Sequence, residues 1–241
     1  MKRNLLYHVY PLRNPVWKWN VNRLNDFAHV FNGRVMIAVA VDEHTVPFKE
    51  AIAEFKFPSP EFVVVPNKPG MGESNVFKPL LAEIKSTDPE EITFYAHAKG
   101  VFRAKSLPVQ TENIRAWTEC MYSLNLSDPD LIERALRRYA AVGCFKRVGK
   151  HGGGAWHFGG TFLWFRHSDI FSGPWSQVAD AYFGVEGWIG QQIPHQRGFC
   201  LFNTRYKDMY TSLIRPEDYE GALRVADLQL EHEETATGKR D

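Results

Sequence analysis

The sequence predicts an α/β protein with a mixed, mostly parallel sheet flanked by helices. Three observations carry that prediction. The first hundred residues alternate four short, β-rich apolar runs with stretches of helical periodicity, the pattern of βαβ units with right-handed crossovers. One run, RVMIAVAV at residues 34–41, is apolar without alternation, as expected of a strand covered on both faces. Each run ends in a polar or Gly/Pro-punctuated segment, and ligands of open parallel sheets sit outside such strand ends. The chain has 241 residues, 44% hydrophobic and 24% charged, enough for one domain with a sizeable core.

In chain order, residues 4–10 form a candidate strand stopped by Pro11. Leu24, Phe27, Ala28 and Phe31 then follow the i, i+3, i+4, i+7 rule and predict a helix ending near Gly33. After the strand at 34–41 come a short helix at 48–55, a strand at 61–65, a helix striped by Phe77, Leu80, Leu81 and Ile84, and a fourth strand at 91–96. In the second half, residues 113–126 and 130–139 read as helices and 140–145 as a strand. A glycine-rich loop is expected at 151–160, a strand at 161–166, an aromatic loop or helix at 181–189, and a last strand at 199–202. Residues 1–215 read as one domain, with a ligand-binding half to residue 105 and a second half at 106–215. Residues 216–241 read as a charged helix fading into a tail.

Charge and composition exclude several classes. Lys+Arg number 29 against 28 Asp+Glu, a net charge of +1, so bulk charge does not indicate a nucleic-acid binder. Three widely spaced cysteines make neither a zinc knuckle nor a disulfide framework. No run is long and apolar enough to cross a bilayer and no signal-peptide core follows Met1, so a cytoplasmic protein without a membrane span is expected. The P-loop, the G-x-G-x-x-G fingerprint, the G-x-S-x-G elbow and H-E-x-x-H are absent. No histidine pair among His8, His97, His157 and His195 has helical ligand spacing beside a carboxylate, and no metal ligand is assigned. Aromatic residues make up 14%, with seven Trp, four of them between residues 156 and 188. Tryptophans supply either flat faces for stacking or core volume.

Three constellations carry chemistry. The fourth strand runs into His97-Ala98-Lys99-Gly100, with Arg103 and Lys105 close behind. Alternation puts His97 and Lys99 on one side, a cationic cluster suited to a departing diphosphate or a solvated basic loop. Pro11-Leu12-Arg13-Asn14 follows strand one and offers Arg13 to a nucleotide or to solvent. In the aromatic block, glycines let backbone amides approach a ligand, and Glu186 lies in Gly184-Val185-Glu186-Gly187-Trp188. There it is a general base with a raised pKa, or a buried carboxylate pairing with Arg166 or Arg197.

The order of these blocks resembles the GT-A-type nucleotide-sugar glycosyltransferases, which share a Rossmann-like fold, over residues 5–203. It resembles in particular a bacterial and viral branch with YxHxKG and GxFxWxR blocks. The Pro11–Asn14 turn is similar to the nucleotide-holding Pro-Phe-Arg-Asn turn of β-1,4-galactosyltransferases. The segment from Phe158 to Arg166 followed by Glu186 resembles their Gly-Gly strand and acidic turn. The resemblance implies a transferase moving a sugar from a nucleoside diphosphate to a hydroxyl of a glycan or other acceptor, by inversion through Glu186. It implies nucleotide contacts from Pro11, Arg13, Asp42, Asn67 and Glu73, and diphosphate contacts from His97, Lys99 and Arg103. An acceptor site would be formed by Trp156, His157, Gly159, Gly160, Trp164 and Trp188, as platform or supporting core. Where the family places the metal-binding Asp-x-Asp, this chain has His97-Ala98-Lys99. A protonated lysine replaces a cation as a point charge, so no cofactor is required on this reading, with Mn²⁺ or Mg²⁺ as the alternative. The rivals are a non-catalytic carbohydrate- or nucleotide-binding protein on the same fold, and an enzyme acting on modified nucleic acid through Lys99, Arg103, Lys105, Lys146, Arg147 and Lys150.

Overall fold

The computed structural model describes residues 1–103, 107–204 and 208–237. Nine strands and nine α-helices are formed among them: β1 Lys2–Val9, α1 Val16–Asn25, β2 Val35–Val41, α2 Phe48–Ala53, β3 Glu61–Pro66, α3 Ser74–Ile84, β4 Glu91–His97, α4 Pro108–Leu126, α5 Pro129–Arg138, β5 Ala141–Gly143, β6 Lys146–His151, β7 Gly154–Phe158, β8 Leu163–Arg166, α6 His167–Ile170, α7 Gly184–Gln192, β9 Gly198–Cys200, α8 Pro216–Tyr219 and α9 Ala222–Thr237. Seven strands make one sheet in the order β3-β2-β1-β4-β8-β5-β9, and β6 pairs with β7 in a separate hairpin. Strands β1–β4 are mutually parallel, β8 runs antiparallel to both β4 and β5, and β9 is parallel to β5. This is the mixed, mostly parallel α/β sheet that the sequence predicts.

The sheet separates two cores, and strand alternation decides which side chain enters which. Leu5, Tyr7 and Val9 of β1, with Ile37 and Val39 of β2 and Ile92, Phe94 and Ala96 of β4, face the core under α1, α4 and α5. Leu6, Met36, Ala38 and Tyr95 face the other core, with α3 and α7. The predicted α3 stripe of Phe77, Leu80, Leu81 and Ile84 is buried there.

Two expectations are corrected. The first helix covers Val16–Asn25, with only a 3₁₀ turn at Ala28–Val30. Its buried stripe is Trp17, Asn20, Val21 and Leu24, and the polar Asn20 hides that stripe from a hydrophobicity pattern. The expected glycine-rich loop is mostly the β6–β7 hairpin, with a bulge between Val148 and His151. The charged C-terminal segment is helical, as expected, and α9 sends Ala226 and Leu230 into the first core. Asp227 of α9 also pairs with Arg134, and Glu233 accepts the Tyr139 hydroxyl. Residues 238–241 lie outside the described residues.

Trp164 is a keystone of the first core. It has no exposed surface, its ring stacks on Phe31 and lies tilted on Phe94, and its Nε1–H donates to the Asn125 carbonyl at 2.9 Å. Trp164→Ala should therefore destabilise the protein by about 3–5 kcal/mol, the range for buried aromatic truncations, measured by denaturant unfolding. A loss below about 1 kcal/mol would contradict this packing role.

Candidate active site at the ends of strands one and four

The chain leaves β1 for β2 and β3 on one side, then returns to lay β4 on the other. The order reverses between β1 and β4, which is where open α/β sheets hold ligands. A cavity of about 360 Å³ opens at the carboxyl ends of these two strands. Its walls include His8 and Tyr10 after β1, His97 to Arg103 after β4, Glu73 before α3, His151 and His157 from the hairpin, and Glu186 on α7. All three predicted diphosphate residues, His97, Lys99 and Arg103, line it together with Glu186, Glu73, His157 and Gly159. Lys105 lies outside the described residues.

Lys99 is fixed from behind. Asn20 of α1, fully buried, accepts from the Lys99 backbone N–H at 3.2 Å and donates to its carbonyl at 3.1 Å. The ammonium sits 4.0 Å from the centre of the Trp117 ring, a cation–π contact. Among the described residues it makes no ion pair within 4.0 Å. Burial lowers its pKa, against the opposing pull of Glu186 and Glu73. Arg103 lies over the Tyr210 ring, 4.3 Å from its centre. His97 Nδ1 approaches Glu73 Oε1 at 3.2 Å without hydrogen-bond alignment. Burial holds His97 well below the usual imidazole range, and burial brings His8 down to about 4, so both are neutral rings at pH 7.

The two glutamates of the cavity differ. Burial raises Glu73 to about 7, although Lys99 opposes it. Burial also pushes Glu186 upward, but the Gly160 N–H at 2.9 Å, the Lys99 charge and His151 at 2.8 Å together hold it below the usual range. The raised pKa expected at Glu186 is thus found at Glu73, and Glu186 stays ionised. Its partners are also not those expected, since Arg166 and Arg197 both bond Asp169.

Glu186 is brought to the cavity by close backbone packing. A Cβ on Gly187 would lie 2.1 Å from the His151 carbonyl oxygen and 2.3 Å from that of Gly152. Only a bare Cα lets α7 press on the hairpin so closely. Gly160 has φ +93°, and a Cβ there would meet Met121 at 2.7 Å and Trp117 at 2.9 Å. That conformation aims its N–H at Glu186.

Of the two readings of the tryptophans, platform or supporting core, the burial of these side chains favours the second. Trp156, Trp164 and Trp188 are at most 1% exposed. Their indole N–H groups donate to the carbonyls of Ile193, Asn125 and Trp175, so they are supporting core with no face open to an acceptor. Trp117, which helical spacing marks as packing, carries Lys99 in the cavity instead. Exposed rings at the cavity come from Phe102, Tyr182 and Phe183. No spacing rule singles these out, nor Asn20, whose role is purely tertiary.

The expected nucleotide residues are only partly assembled. Arg13 is exposed and does not line the cavity, and the Pro11 carbonyl accepts from Val46 at 2.9 Å. Asp42 accepts from the Tyr10 hydroxyl and, at 2.8 Å, from Asn67. These two stand behind Tyr10 as its support. Of the proposed basic groove, Lys99, Arg103 and Arg147 line the cavity, while Lys146 turns to the Gly198 carbonyl at 2.7 Å and Lys150 is exposed elsewhere.

No protein-family model matches the chain, and no curated protein sequence matches it. Among solved structures it is similar to a 4-diphosphocytidyl-2C-methyl-D-erythritol synthase at 14% identity, covering 93% of this chain and 99% of that one, with a TM-score of 0.43. It is also similar to a protein assigned as a nucleotide-diphospho-sugar transferase from Desulfovibrio desulfuricans G20, at 13% identity, 96% and 97% coverage and a TM-score of 0.41. Likeness at this level carries no functional argument, which rests on the cavity itself. No helix among the described residues is long and apolar enough to cross a membrane.

The Glu73 shift has a signed consequence for stability. The folded protein binds this proton more tightly than the unfolded chain, so its contribution is full below the ordinary value of 4.5 and is lost as pH rises through about 7. Glu73→Gln, which stays neutral, should gain on the wild type as pH rises, by roughly 7–14 °C in Tm at pH 8 and by much less at pH 5. A pH-independent difference between the two proteins would remove the raised pKa.

Proposed function

We propose that this chain is a glycosyltransferase that moves a sugar from a nucleoside-diphosphate donor to a hydroxyl acceptor. The observation that carries the reading is Lys99, an ammonium in the wall of a switch-point cavity with no carboxylate within 4.0 Å among the described residues. Its donors remain available to an anionic ligand, and Arg103 adds a second cation at the same cavity. In the proposed step the acceptor hydroxyl gives its proton to a carboxylate while its oxygen bonds to the anomeric carbon. The bond from that carbon to the diphosphate oxygen breaks, and the diphosphate leaves with the electron pair. Lys99 and Arg103 meet the growing negative charge, which is the largest service such fixed charges give.

Glu73 suits the proton transfer better than Glu186, because a carboxylate with a pKa near 7 is matched to proton exchange at neutral pH. Two carboxylates whose surroundings push their pKa values apart divide their roles in this way. Lys99 supports diphosphate binding without a cation beneath it, and the rings of Phe102, Tyr182 and Phe183 suit a base or sugar face.

A thermal-shift series with nucleoside diphosphates and nucleotide sugars in EDTA tests the donor site. At least one diphosphate should raise Tm by roughly 5–10 °C at 100 times its Kd, and Lys99→Met should abolish most of that shift. No shift with any of them, or an undiminished shift in Lys99→Met, would reject the donor site. With a responding sugar nucleotide, Glu73→Gln should slow diphosphate release at least about 100-fold while binding persists. Binding without release in the wild type would indicate a non-catalytic binding protein, and salt-sensitive DNA binding alone would indicate the nucleic-acid reading.

A further inference from the structure

The same cavity holds a cluster that the transfer chemistry does not use. His151, at the end of β6, and His157, in β7, stack with ring centres 4.3 Å apart. Glu186 reaches them from α7, with Oε2 2.8 Å from His151 Nε2. One ligand atom from each of the three lies within 4.8 Å of the others. We propose that His151, His157 and Glu186 form a binding site for a divalent transition-metal ion, preferentially Zn²⁺, with an open coordination position toward the cavity.

Four observations support the site. Two imidazoles and one carboxylate are a donor set for a borderline-soft ion, and hard Mg²⁺ or Ca²⁺ prefers oxygen alone. Three protein ligands leave the fourth tetrahedral position for a substrate oxygen or water. The spacing needs only modest closure, because bonds of about 2.0–2.2 Å put neighbouring ligand atoms roughly 3–3.5 Å apart. His151 and Glu186 remain partly exposed, at 31% and 17% of their side-chain surface, so small rotations suffice.

The fourth observation is an unmatched atom. Nδ1 of His157 is buried and has no hydrogen-bond partner among the described residues, which an interior polar atom seldom tolerates. The close approach of α7 to the hairpin at Gly187 holds the three ligands together before any ion arrives.

On the proposed function Lys99 stands in for a cation beneath the donor diphosphate, whereas this site lies between the hairpin and α7. An ion here would polarise a hydroxyl or phosphoryl oxygen entering the cavity. The inference does not depend on sugar transfer, because it rests on the three side chains alone.

Calorimetric titration of the chelator-stripped full chain with Zn²⁺, and of Co²⁺ by visible absorption, tests the proposal. One equivalent should bind. His151→Ala and His157→Ala should each weaken binding at least about 10-fold, and His44→Ala, a change at an exposed surface histidine, should leave it unchanged. No stoichiometric uptake by the wild type, or undiminished uptake by the double variant His151→Ala/His157→Ala, would overturn it. If those variants unfold, imidazole ¹⁵N spectra of the wild type decide. Zn²⁺ should shift the His151 and His157 signals, and shifts confined to other histidines would overturn the assignment. Loss of the metal site would leave the nucleotide shift in EDTA intact, and loss of that shift would leave metal uptake intact.

Discussion

The cavity is organised around one ammonium group. Lys99 is carried to the end of β4, locked at its backbone by Asn20 and laid on the face of Trp117. Glu73 and Glu186 feel its charge without closing on it. A direct ion pair would have spent those donors inside the protein. The open arrangement is costly without a ligand, since a desolvated charge is stabilised only by what surrounds it. That cost is what an anionic substrate would relieve.

The second constraint is the close contact between α7 and the β6–β7 hairpin. It brings Glu186 to Gly160 and His151 at once, and those contacts hold Glu186 ionised while burial leaves Glu73 near neutrality. Two glutamates of the same cavity therefore acquire different chemistry from their neighbours alone. Trp156, Trp164 and Trp188 contribute by fixing the sheet and hairpin from behind, with each indole N–H spent on a backbone carbonyl.

The sequence makes legible those elements whose burial is one-dimensional. The runs that become β2 and β4 and the Phe77–Ile84 stripe are continuous or periodic, so their positions follow from the pattern. The His97-Ala98-Lys99 turn was legible because alternation at a strand end fixes side-chain direction. Asn20 broke the apolar stripe of α1 and so concealed the helix start, although its amide is what holds Lys99. The hairpin was concealed by its glycines, which as readily signal a loop. The acid/base division between Glu73 and Glu186 depends on contacts with Gly160, His151 and Lys99, which lie 26 to 87 residues from the glutamate each one influences, and no local spacing encodes them. Trp117 and Trp164 are indistinguishable by residue type; both enter the first core, and only Trp117, on α4, also lines the cavity.

The most direct measurement is a titration of the lysine side chains by NMR, with Lys99 assigned through Lys99→Arg. Lys99 should titrate below the ordinary value of 10.5, and its signal should also move as Glu73 ionises near pH 7. A Lys99 signal that titrates at the ordinary value and shows no step near neutrality would contradict a half-buried ammonium that feels the charge of both glutamates.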